Sequence, residues 1–116
     1  MDNTIGNVLT GLKNEICSIM VRIQANENYA IICNQYEGYN KSMLNFICLR
    51  NPLFFETLFG KIYNYLINPA HSKQELSYLL TTELFYNRYL NNYIVDNVYD
   101  AIDNNNNKYQ INKMMI

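Results

Sequence analysis

The 116-residue sequence has one histidine, three cysteines and no tryptophan. Zinc sites gather several His and Cys side chains at short spacings. Here His71 has no second histidine beside it, and Cys17, Cys33 and Cys48 are too far apart for a local metal knuckle. No metal is expected, and His71, in the loop after Pro69, reads as an exposed turn residue. An odd number of cysteines argues against a disulfide framework and fits a reducing compartment. A catalytic thiol needs an electropositive, accessible setting. Ile16-Cys17-Ser18, Ile32-Cys33-Asn34 and Ile47-Cys48-Leu49 instead suggest small hydrophobes on the core side.

Charge is scarce too, at 16% of residues and a net of -1. The Lys and Arg residues are scattered, which leaves no electrostatic case for duplex nucleic acid or an anionic membrane. No Gly-rich phosphate loop, serine nucleophile elbow or His–Glu metal motif is present, so neither catalytic residues nor a cofactor are expected. The sequon Asn40-Lys41-Ser42 is a chance match in an Asn-rich chain. The N-terminal residues lack a basic stretch followed by an apolar one, and Met-Met-Ile is not a prenylation signal, so an intracellular protein is expected.

What remains is apolar and aromatic. Hydrophobic residues make up 49% of the chain, eleven residues are Tyr, and the length suits one domain with a single core. Abundant Asn, Tyr and Ile accompany AT-rich coding, as in many viruses, phages and low-GC bacteria. The densest apolar block is 53–67, where Phe55, Leu58, Phe59, Ile62, Leu66 and Ile67 recur at helical spacing. Asn51 is placed to cap it, Pro52 suits its first turn, and Pro69 stops it. Fifteen residues carrying Glu56 and Lys61 are too few for a bilayer span, which needs about 20 apolar residues. The block reads as a buried helix around which the rest packs.

Asp2-Asn3-Thr4 can cap a first helix, in which Ile5, Val8, Leu9, Leu12, Ile16, Ile19, Met20 and Ile23 share a face. Residues 19–35 also admit a β-hairpin turning at Asn26-Glu27-Asn28, since Ile19, Val21, Ile23 and Ala25 alternate. Tyr29, Ile32, Cys33 and Tyr36 keep helical spacing as far as Gly38, and Asn40 can cap the run holding Met43, Leu44 and Ile47. Ser72-Lys73-Gln74-Glu75 matches the capping box. It opens a long helix through Leu76, Leu79, Leu80, Leu84, Leu90, Ile94, Val98 and Ile102, with Thr81-Thr82 a place for an interruption. The expected fold is all-α, a compact bundle of four to five helices, with an N-terminal hairpin at 19–35 as the alternative. Residues 1–103 form the domain; in 104–116 the Asn104–Asn107 tract acts as a linker to a short apolar tail.

Candidate contact residues cluster near the end. Tyr86, Tyr89 and Tyr93 form an aromatic stripe, with Tyr78 two turns earlier and Arg88 and Asn92 alongside. Tyr and Arg combine contact area with a polar handle, which enriches them at interfaces. The competing reading makes the rings part of the core stripe. Asp96, Asp100 and Asp103, at helical spacing, form either an acidic stripe for a basic partner or a solvated face. The run Leu44-Asn45-Phe46-Ile47-Cys48-Leu49-Arg50-Asn51-Pro52 and the later Val98-Tyr99-Asp100-Ala101-Ile102 resemble stretches in poxviral Bcl-like immunomodulators. The resemblance covers about a third of the chain. It implies a cytosolic viral bundle that binds host signalling or apoptotic proteins, through a helix-accepting groove or an outer helical face. No functional residue carries across. The expected function is a small, non-enzymatic viral or phage protein that binds and inhibits a host protein. The alternatives are a small-ligand-binding protein and a structural homo-oligomer built through the tail.

Overall fold

The computed structural model describes the backbone of residues 3–114 and the side chains of residues 3–106. The described residues comprise six helices: α1 Thr4–Gln24, α2 Tyr29–Gln35, α3 Lys41–Cys48, α4 Pro52–Leu66, α5 Lys73–Glu83 and α6 Arg88–Met114. The all-α expectation holds, with one helix more than the upper count. The additional helix comes from the C-terminal stretch, which is two helices rather than one. Thr81 and Thr82 stay helical, and the break falls at Phe85 and Tyr86, both at positive φ.

No strand occurs among the described residues. The hairpin alternative fails because α1 runs on to Gln24. Asn26 then turns the chain at φ 61°, and the Asn28 side chain accepts the Ala30 N–H at 2.8 Å to start α2. Arg22 fastens the joint, with a bidentate ion pair to Glu27 at 2.6 and 2.9 Å, a hydrogen bond to Gln35, and its guanidinium over the Tyr36 ring.

Short polar side chains set the helix starts. Asn40 accepts the Met43 N–H and Asn51 the Phe54 N–H, each at 3.0 Å, and Ser72 accepts the Glu75 N–H at 3.2 Å. Each satisfies a donor that the first helical turn leaves unpaired. The capping box at Ser72 is only half of the expected one, because the Ser72 N–H donates to the Tyr65 hydroxyl at 2.8 Å. Asn3 occupies the N-cap position of α1 without a capping side-chain bond. Asp2 lies outside the described residues.

The α4 residues Phe55, Leu58, Phe59, Ile62 and Leu66 are buried as expected, whereas Ile67, in the cap, is 60% exposed. Burial of each such side chain contributes about 1.5–3 kcal/mol. They pack against Leu9, Leu12, Ile16, Ile19 and Met20 of α1 in one continuous core. The helix that touches most others is nevertheless α1, which contacts α2, α3, α4 and α6. The bundle closes with α5 against α6.

The Asn tract does not break α6, which continues through Asn104–Asn107 as far as Met114. Extending an existing helix adds one hydrogen bond per residue fixed, and Asn is a less costly helix residue than Gly. The apolar tail residues Met115 and Ile116, and the side chain of Met114, lie outside the described residues. Among the described residues no helix is long and apolar enough to cross a membrane.

Candidate functional site

The most unusual local geometry lies at the α5–α6 corner. Leu84, fully buried, caps α5. The Phe85 N–H then donates to the Thr82 carbonyl at 3.0 Å and the Tyr86 N–H to the Thr81 carbonyl at 2.8 Å. This pair of bonds is the Schellman motif, whose left-handed residue is usually Gly. Here Phe85 stands at φ 51° and Tyr86 follows at φ 63°. A left-handed conformation costs an L-residue with a Cβ roughly 1–2 kcal/mol. Burial does not compensate fully, since Phe85 is 64% and Tyr86 74% exposed. Asn87 then starts α6 by accepting the Leu90 N–H at 3.0 Å, and its amide donates to the Ser42 carbonyl at 3.2 Å, tying the corner to α3.

The sequence candidates distribute around this corner. Tyr78 lies exposed on α5, and Tyr86 sits in the turn rather than on the last helix. Arg88 opens α6 and donates to the hydroxyl of its neighbour Tyr89 at 3.3 Å, with its guanidinium over that ring. That guanidinium holds the Tyr89 phenol below its ordinary range. Asn92 and Asp100 are exposed. Asp96 pairs with Lys73, the first residue of α5, at 3.0 Å. Because α6 continues past Asp103, the acidic stripe is in mid-helix and not beside a helix C-terminus.

Tyr93 leaves the group. Its hydroxyl donates to Glu15 of α1 at 2.6 Å, and its ring lies 4.6 Å from the buried Tyr39 ring. Burial, reinforced by the Glu15 carboxylate, pushes the Tyr93 and Tyr39 phenols far above their ordinary range. Tyr99 is pushed up to about 12, first by burial. Unfolded tyrosines ionise near pH 10, so the stabilisation from these neutral phenols is complete below that value and is lost as pH rises above it. Stability should therefore fall from about pH 10 upward. Tyrosinate absorbance at 295 nm should show a late fraction rising together with loss of helical circular dichroism. A single early titration with the helices intact would contradict the assignment.

Two other expectations change. His71 is half-buried, its Nδ1 2.8 Å from the Tyr99 hydroxyl, because α6 packs over the α4–α5 loop. Cys48 is exposed rather than core-side, since it is the last residue of α3, where the buried face ends at Ile47.

A feature that periodicity did not reveal surrounds Arg50. Its guanidinium carbon lies 4.3 Å from the Phe46 ring centre, 4.6 Å from Phe85 and 5.3 Å from Phe54. Leu49 and Leu53 flank it at 75% and 65% exposure. A cleft of about 310 Å³ borders Phe54 and is lined by Asn51, Leu53, Thr57, Leu58 and the Lys61–Glu83 ion pair. Leu49-Arg50 lay within the sequence run singled out above, but Phe85 arrives from 35 positions away, a proximity only the fold creates. Among the described residues no group of three His, Cys, Asp or Glu side chains is placed to hold a metal ion.

No protein-family model matches the chain, and neither a curated protein nor a solved structure is significantly similar to it.

Proposed function

We propose that this is a small, non-enzymatic protein of viral or phage type that binds and inhibits a host defence or signalling protein, with the α5–α6 corner at the centre of its contact surface. The reading rests on one observation above all, two consecutive aromatic residues kept in left-handed conformation with their rings largely exposed. Such backbone strain clusters at functional positions, and here it falls on two exposed aromatic residues where Gly is the usual occupant. Tyr78, Arg88 and Tyr89 extend the aromatic and cationic surface near it, in the composition that supplies interface hot spots. A viral or phage source accords with the AT-driven composition and with the resemblance of Leu44–Pro52.

The test is affinity capture of the tagged protein from lysates of candidate host cells, with variants run in parallel. Tyr86→Gly relieves a strained φ and should raise stability by about 0.5–1 kcal/mol while lowering partner affinity more than tenfold. Tyr89→Ala and Arg88→Glu should weaken binding to the same degree with thermal stability nearly unchanged. If Tyr86→Gly and Tyr89→Ala unfold the protein, the rings serve the core and the proposal fails.

A further inference from the structure

We infer that the Arg50 cradle is the specificity element of this protein-binding surface, receiving a partner segment that presents an Asp or Glu carboxylate flanked by apolar side chains. The inference rests on the protein-binding reading above and adds the chemistry of the partner.

Charge matching leads to this assignment. Arg22, Lys61 and Lys73 each have a carboxylate of their own chain, Glu27, Glu83 and Asp96 respectively, whereas Lys13, Lys41, Arg50 and Arg88 form no ion pair among the described residues, and of these four only Arg50 is enclosed by three aromatic rings. Arg50 has none within ion-pair distance among the described residues; its only hydrogen bond is a long one, 3.4 Å, to the Leu49 carbonyl. Three phenylalanine rings surround its charge instead. Ring faces attract a guanidinium but accept none of its in-plane N–H bonds well, so most of its five donors remain for an acceptor. A carboxylate meets that fork with two parallel hydrogen bonds, a geometry a lysine could not offer. The surroundings determine the rest of the partner. Leu49, Leu53 and Phe85 are all more than 60% exposed, and Leu53, Phe54 and Leu58 supply apolar lining to the neighbouring cleft. A free carboxylate would gain little there from water-exposed pairing, whereas apolar neighbours seated on Leu53 and Phe85 would exclude water from the ion pair and strengthen it. The Phe85 ring, held out by its left-handed backbone, forms one wall of the cradle, which gives the strained corner a specific task.

The experiment is selection of a phage-displayed library of random 12-residue peptides on the immobilised full chain, followed by fluorescence polarisation with the enriched sequences. Enriched peptides should carry Asp or Glu within about three positions of two large apolar residues. Affinity should fall roughly tenfold for Arg50→Gln, and equally when the peptide carboxylate becomes an amide. The two changes together should cost no more than either alone, which marks a direct pair. Arg50→Lys should recover only part of the loss, and its retained charge guards against reading a folding defect as lost recognition. Acid-free enriched peptides, or affinity indifferent to Arg50→Gln, overturn the inference. So do Arg50-dependent self-association in sedimentation and Arg50-dependent binding to phosphatidylserine vesicles in place of peptides. Absence of any enriched peptide also overturns it. If a host protein is still captured in a Tyr86-dependent manner in any of these cases, the broader protein-binding proposal survives.

Discussion

Phe55→Ala should lower the free energy of unfolding by about 3–5 kcal/mol, a large share of the 5–15 kcal/mol typical of a natural domain. Phe55 is fully buried, and its ring meets those of Phe46, Phe54 and Phe59 at 6.5, 5.1 and 6.5 Å. Removing it leaves a cavity where α4 meets the base of the Arg50 cradle, so neighbouring rings lose contacts as well as the buried area of Phe55 itself. The midpoint of thermal unfolding should drop by roughly 10–20 °C. Phe55→Leu, which keeps most of the volume, should cost far less. Circular dichroism melts of the two variants decide the matter, and equal melting temperatures would show that α4 is not the core helix described. Partner affinity per folded molecule should also weaken in Phe55→Ala, because Phe46 supports Arg50 from below.

Gly38→Ala should be the next most damaging change, at about 2–4 kcal/mol. Gly38 sits at φ 93°, a conformation that alone penalises a side chain. A Cβ there would also lie 2.6 Å from the Tyr93 ring, far inside contact distance. That ring cannot yield freely, since it packs against the tilted Tyr39 ring and its hydroxyl is bound to Glu15. Displacing it would further disturb Tyr39, whose hydroxyl is already buried without a hydrogen-bond partner among the described residues. Tyr93→Leu should therefore suppress part of the Gly38→Ala penalty in a double-mutant cycle. Additive losses in denaturant titrations would show that the glycine is needed for its backbone conformation alone.

Sequence reading was most dependable where one physical cause dominates locally. The apolar period of α1 and α4 placed nearly all their buried residues, and Asn51-Pro52 and Ser72 marked helix starts correctly. Asparagine carried more information than composition suggested, because Asn28, Asn40, Asn51 and Asn87 each accept a first-turn N–H. Asn28 falls in the turn of the hairpin alternative and Asn104–Asn107 reads as a linker, whereas the structure uses the first as the cap of α2 and carries α6 through the second. The two uses of one residue type differ only in what surrounds them. An Asn before an apolar helical run caps, while one inside an established helix is simply tolerated.

The contact surface was less legible. Tyr86, Tyr89 and Tyr93 look alike along the sequence, yet Tyr93 turns to α1 and the buried Tyr39 while Tyr86 projects from a turn. The break at Phe85 had no signal, since the usual Gly is missing and the motif is completed by backbone hydrogen bonds to Thr81 and Thr82. Local pattern by itself pointed to an all-α class with a hairpin at 19–35 left open, and placed the core faces of the helices and most of their starts, because caps and apolar period act within a few residues. Only tertiary structure decided that α5 and α6 separate at two strained aromatics, that His71 meets Tyr99, and that Phe85 closes on Arg50. Those outcomes depend on which distant side chains packing brings together, and no spacing along the chain encodes them.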